Sequence, residues 1–120
     1  MASVTWTTHQ GQKILYADYR TQNEAEQLAV LEEVGRLVQG AAPGVRNLSD
    51  FRGVGVGTAF MKRVKEINLA VFEPRQMRLA VLGVDGLKGM LLKGFNRVSR
   101  SGSAAVPCSS EEEAYKYLLS

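Results

Sequence analysis

The alternation of apolar and polar side chains near the start of the chain predicts two strands, over residues 5–9 and 13–19, with Ile14, Leu15, Tyr16, Ala17 and Tyr19 in the second. A short turn at Gln10 to Gln12 makes them a hairpin. From Thr21 the period changes. Thr21 and Glu24 stand three apart as a capping box, and Leu28, Leu31, Val34, Gly35 and Val38 recur at helical spacing as far as Gln39. Gly40 and the run Ala42, Pro43, Gly44 end that helix. Residues 45–51 read as a strand and 53–57 as a Gly-rich loop. Residues 58–73 read as a second helix with Phe60, Val64, Ile67 and Val71 inward, stopped by Pro74.

Residues 77–84 are almost wholly apolar, the pattern of a strand covered on both faces at the centre of a parallel sheet. A third helix is predicted after Asp85 and Gly86, with Leu87, Met90, Leu91, Gly94, Phe95 and Val98 on one side and Lys88, Lys93, Asn96, Arg97 and Arg100 toward the other. Ser101, Gly102 and Ser103 form a linker, and residues 104–106 a brief last strand. Ser109 or Ser110 then caps a final helix that begins with Glu111, Glu112 and Glu113. The order ββαβαβαβα specifies an α/β fold: an N-terminal hairpin, then a mostly parallel five-stranded sheet with four helices and right-handed crossovers. No internal repeat is apparent from the elements.

At 120 residues the chain is the size of one domain, spanning 1–120. No apolar run approaches the ~20 residues that span a bilayer. A single cysteine, Cys108, excludes an intrachain disulfide, so a reducing, cytoplasmic setting is expected. The net charge of +3 conceals an asymmetry. Residues 52–100 carry ten basic against three acidic side chains, whereas the flanking stretches are each slightly acidic. A basic face toward an acidic partner is therefore expected.

Few residues suggest chemistry. His9 and Cys108 are the only members of their types, too few for a clustered zinc site, and nothing in the sequence requires them to meet as a nucleophile pair. No metal and no cofactor is expected. Gly53, Gly55 and Gly57 lie between a strand and a helix, where backbone N–H groups can cradle an anion. The dinucleotide spacing fails at Thr58, and a phosphate-loop Gly-Lys-Ser/Thr is missing, so a tight turn is the simpler reading. Thr58 is placed to cap the second helix. A phosphate added there would meet the positive end of that helix. Asp50, Arg52 and Asp85 fall near strand C-terminal ends, where open α/β sheets bind ligands, with turn or helix capping as their structural role. Four aligned basic residues without an aromatic ladder argue against nucleic acid.

The element order, together with Leu48, Ser49, Asp50, Phe51, Arg52, Gly53 and Val54 ahead of a helix, resembles the STAS family, the sulfate transporter and anti-sigma factor antagonist domains. Small stand-alone bacterial relatives are the nearest likeness. Their second halves carry patterns similar to Leu82-Gly83-Val84-Asp85-Gly86-Leu87-Lys88, to Asn96-Arg97-Val98-Ser99 and to Ser110-Glu111-Glu112-Glu113-Ala114. The resemblance implies a β-α superhelix and a non-catalytic regulatory module. Its protein partner would dock on Asp50, Arg52, Gly53, Gly55, Gly57 and Thr58, with Lys88, Lys93 and Arg97 alongside; a weak homodimer is compatible with it. In the anti-sigma antagonists a Ser in an Asp-Ser-Ser-like motif is phosphorylated to switch binding off. Here the chain reads Val56-Gly57-Thr58-Ala59, which leaves Thr58 as the hydroxyl. The alternative is a small carrier or enzyme that binds an anionic or lipid-like ligand at the strand C-terminal ends.

Overall fold

The computed structural model describes residues 3–83 and 105–120. The expected third helix, with Asp85, Lys88, Lys93, Arg97 and Arg100, lies outside the described residues, as does the Ser101 to Ser103 linker.

The hairpin forms as its pattern requires: β1 (Ser3–His9) and β2 (Gln12–Asp18) pair antiparallel in register from Ser3 with Asp18 to His9 with Gln12. The connection needs left-handed backbone at both central positions, and Gln10 (φ 53°) and Gly11 (φ 77°) supply it. The strands β3 (Arg46–Asp50), β4 (Arg78–Leu82) and β5 (Ala105–Cys108) then add in parallel to β2. The five-stranded sheet is mixed, and its order is β1-β2-β3-β4-β5. The centre of the sheet is thus β3. The apolar β4, expected there, lies one place over but is interior as its composition demanded.

Helices α1 (Glu24–Gln39) and α2 (Thr58–Ile67) follow β2 and β3. Two right-handed crossovers stepping the same way put both on one face. There Leu15, Ala17 and Tyr19 meet Val30, Leu31, Val34 and Val38 of α1 and Phe60 and Ile67 of α2. The opposite face is covered by α3 (Glu111–Leu118), where Ile14, Leu48, Ala80, Leu82 and Cys108 meet Ala114 and Leu118. The described residues thus hold three α-helices against the four expected.

Local chemistry moves three boundaries. Asn23, not Thr21, caps α1: its side chain accepts the Glu26 N–H at 3.1 Å. The Thr21 hydroxyl is engaged elsewhere, accepting the Asn23 N–H and donating to the Glu26 carboxylate. Gly57, not Thr58, is the cap residue of α2, without a side-chain bond, which leaves Thr58 as the first helical residue, exposed to solvent. A β-carbon on Gly57 would come 2.3 Å from the Glu24 carboxylate, which would have to swing aside. Finally, α2 runs into a π-helical turn (Asn68–Phe72) that inserts one residue into the stripe. Asn68 and Phe72 become the buried positions, and Val71 is only partly covered.

The final helix is held at both ends. Ser110 caps it by accepting the Glu113 N–H at 3.1 Å, and the Glu113 carboxylate accepts the N–H and hydroxyl of Ser109. At its C-terminal end the neighbouring strand starts supply two guanidinium groups, Arg46 donating to the Leu118 carbonyl (2.9 Å) and Arg78 to those of Tyr117 (3.0 Å) and Ser120 (3.1 Å). Cations there satisfy orphan carbonyls and oppose the negative end of the helix dipole. The described part of the basic middle stretch is largely used this way. Arg63 pairs with Glu32 and Glu66, Arg52 with Asp50, and Arg75 donates to the Ala41 carbonyl.

Candidate functional site

The C-terminal ends of β2 and β3 carry the same chemistry twice: Asp18-Tyr19-Arg20 and Asp50-Phe51-Arg52. The parallel register sets Asp18 beside Asp50. In each triplet the aspartate Oδ1 accepts the backbone N–H of its own arginine two residues on (2.9 and 3.1 Å) and that arginine's Nε (3.0 Å in both). The arginine Nη2 closes the fork on Oδ2, at 3.1 Å for Arg20 and 2.7 Å for Arg52. Such bidentate, charge-assisted pairs fix geometry as well as charge. Between each pair an aromatic ring turns to the other face. The rings of Tyr19 and Phe51 stack at 4.4 Å, and Phe60 of α2 meets both edge-on.

Asp50 is the hub. Its side chain is fully buried, and Oδ2 also accepts the Tyr16 hydroxyl at 2.8 Å and faces Arg20 Nε at 3.5 Å. Both guanidinium groups therefore converge on one carboxylate, and Arg52 reaches on to Glu111 at the start of α3 (3.3 Å). Burial by itself would raise the Asp50 carboxyl, but the bonds from Arg52 and Tyr16 outweigh it and hold the group below its ordinary value. The fork from Arg20 likewise lowers Asp18. Burial, then the bond to Asp50, pushes the Tyr16 phenol up to about 12. At neutral pH the cluster is two fixed carboxylates, two guanidiniums and a neutral phenol, a rigid rim with no group poised for proton transfer.

The Gly-rich loop rises from this rim. The buried Gln27 side chain of α1 donates to the Gly55 carbonyl (3.0 Å) and to the Thr21 carbonyl (3.1 Å), and Gln22 reaches the Gly53 carbonyl. Val54 is buried as a plug, while Arg52, Gly53, Gly55 and Thr58 are exposed. Gly53 needs its left-handed φ of 77°; Gly55 does not, and a side chain added there meets nothing within 4 Å. Because Gln27 ties loop to helix, Gln27→Leu is expected to cost about 1–3 kcal/mol by removing two part-buried hydrogen bonds. Amide exchange at residues 53–57 should rise with it, which combined chemical denaturation and hydrogen exchange would check.

The structure thus places Asp50, Arg52, Gly53, Gly55, Gly57 and Thr58 along one continuous stretch from β3 to α2. Lys88, Lys93 and Arg97 lie outside the described residues. Tyr16, Asp18 and Arg20 were not anticipated as part of this rim. The signal for Asp18 and Arg20 in the sequence is the Asp-aromatic-Arg triplet repeated at the same place relative to two strand ends; Tyr16 lies outside it. His9 stacks on Tyr115 of α3 at 4.2 Å beside an open groove of about 580 Å³ that Glu112, Lys116 and Leu119 also line. Cys108 ends β5, its thiol donating to the Val106 carbonyl and raised by burial and by nearby Glu113, the opposite of an activated nucleophile.

No protein-family model and no curated protein matches the chain. Among solved structures it is similar to an uncharacterized protein of the DUF3478 family with a SpoIIAA-like fold from Shewanella loihica PV-4. The TM-score is 0.64 and the identity 13%, with 98% of this chain and 93% of that one covered. With a mixed sheet ordered in sequence, two helices on one face and the C-terminal helix on the other, the chain has the SpoIIAA-like fold, which is the fold that its STAS resemblance implied.

Proposed function

We propose that the chain is a non-catalytic, STAS-like regulatory module of the cytoplasm that docks a protein partner through the Gly-rich loop and the start of α2. The observation that carries this reading is the exposed stretch of Arg52, Gly53, Gly55 and Thr58, tethered by Gln27 on a rim whose ionised groups already satisfy one another. Rigid side-chain forks under an accessible loop suit recognition, which needs a fixed surface more than a titrating group. The carrier or enzyme alternative would use the same rim, but Asp50 is held as an ion-paired carboxylate and is not available as an acid or base. Thr58 is the proposed switch: a phosphate there would be accommodated by the positive end of α2 while reversing the charge of the docking surface.

The reading is tested by affinity capture from the source extract with three variants. Gly55→Arg fills open space, and Thr58→Glu places a favourable charge in the first helical turn, so both should fold as the parent does. Gln10→Asn changes the hairpin turn at the opposite end of the sheet, where asparagine suits the left-handed φ of 53°. A partner retained by the parent and by Gln10→Asn but lost by the first two is the expected result. Equal retention by all three would place docking elsewhere.

A further inference from the structure

The outer edge of β1 is a second recognition element. Among the described residues no strand pairs with it, and β1 opens the strand order. Edge strands usually carry a charge, a proline or a bulge that blocks further pairing. The other described edge is blunted in this way: β5 is four residues long and includes Pro107. By contrast, β1 has seven residues, Ser-Val-Thr-Trp-Thr-Thr-His, with no Lys, Arg, Asp, Glu or Pro, and every residue pairs in unbroken register with β2.

That register fixes which backbone groups look outward. A two-residue loop makes His9 and Gln12 the closing hydrogen-bonded pair, and antiparallel pairs alternate from there. Thr7, Thr5 and Ser3 therefore spend their N–H and C=O groups on β2, whereas Thr8, Trp6 and Val4 direct theirs to the free edge. These three are symmetric about Trp6. We infer that β1 pairs antiparallel with β1 of a second copy of this chain about a two-fold axis at Trp6, joining the two sheets into one of ten strands.

In that register Trp6 faces Trp6 of the other copy, Val4 faces Thr8, and Thr5 faces Thr7. All three outward residues form hydrogen bonds to the partner strand, and no like charges meet. Aromatic and β-branched side chains face one another across the seam, the favourable cross-strand combination. Trp6, 42% exposed and flanked by Lys13, becomes covered. The self-complementarity of the strand selects a second copy over an unrelated peptide. The Gly-rich loop is at the other end of β2 and β3, so the pairing presents two docking surfaces and does not depend on their proposed role.

Trp6 is the only tryptophan, so its emission reports the seam directly. Analytical ultracentrifugation of the full chain should give a species near twice 13.1 kDa at micromolar to sub-millimolar concentration. Its tryptophan emission should shift to the red as dilution dissociates it. Trp6→Lys, which sets two charges at the two-fold axis, should weaken association by roughly tenfold or more. Thr8→Pro removes an outward N–H that the fold itself does not use, and should act likewise with an unchanged far-ultraviolet dichroism spectrum. A chain that stays monomeric throughout that range, or a dimer that both variants leave intact, overturns the inference. In the monomeric case an extended peptide from another protein is the remaining occupant of the edge.

Discussion

Replacing Gly83 by alanine is expected to destabilise the fold by about 3–5 kcal/mol, the range of severe backbone and packing defects. The residue follows β4 with φ 82°, a conformation that any β-carbon strains. A β-carbon there would also lie 2.5 Å from the backbone nitrogen of Arg52 and 2.6 Å from its α-carbon. Backbone atoms cannot swing aside as a long side chain can. The end of β4 passes directly beneath the Phe51–Arg52 turn, and the Phe51 N–H donates to the Leu82 carbonyl at 2.9 Å. Relief of the clash requires backbone movement at residue 83 or at the Phe51–Arg52 turn, and the latter would disturb the Arg52 fork on Asp50. Urea unfolding of parent and variant measures the loss. Gly55→Ala, in open space, should stay within about 0.5 kcal/mol of the parent.

Asp50→Asn is expected to cost about 2–3 kcal/mol at neutral pH, less than a fully buried pair because Arg52 is 42% exposed and solvent takes up part of its charge. The amide keeps the shape of the carboxylate but no longer offers Arg52 and Arg20 an ionised acceptor. The pH dependence follows from the direction of the shifts. The folded Asp50 and Asp18 carboxyls titrate below their unfolded values. Their contribution is therefore complete above about pH 4, the unfolded value, and disappears as pH falls through the folded values. The parent should lose stability steeply below about pH 4, and Asp50→Asn should lose less over the same interval. Unfolding midpoints measured across that interval test both statements.

What the sequence reveals of this molecule divides along the range of the interactions involved. Strands β1 and β2, helix α1 and the apolar β4 follow from periodicity, because each is dictated by which side chains must face the core. The caps slipped by one or two residues where competing partners decide them. Thr21 gave up its capping role because its hydroxyl serves Asn23 and Glu26, and Gly57 took the start of α2 beside the Glu24 carboxylate. The π-helical turn is set by tertiary fit and leaves no periodic mark.

The candidate site was legible in part. Asp50, Arg52 and the glycines announce themselves by position between a strand and a helix. Tyr16, Asp18 and Arg20 belong to the neighbouring strand, and only the register of β2 on β3 brings Tyr16 and Arg20 to the Asp50 carboxylate. Comparing the two strand ends, Ala17-Asp18-Tyr19-Arg20 with Ser49-Asp50-Phe51-Arg52, finds Asp18 and Arg20, whereas Tyr16 has no such counterpart. The basic face expected on Lys88, Lys93, Arg97 and Arg100 lies outside the described residues. Among the described residues of the basic stretch, Arg52, Arg63, Arg75 and Arg78 pair with carboxylates and carbonyls of the same chain.

The loop from Arg52 through the first turn of α2 is the proposed docking surface. Hydrogen exchange of the chain, free and bound to a captured partner, tests it most directly. Slowed exchange over residues 52–60 on binding, with the hairpin turn at Gln10 and Gly11 unchanged, is the expected result. Protection confined to other segments, with residues 52–60 exchanging as they do in the free chain, would contradict it.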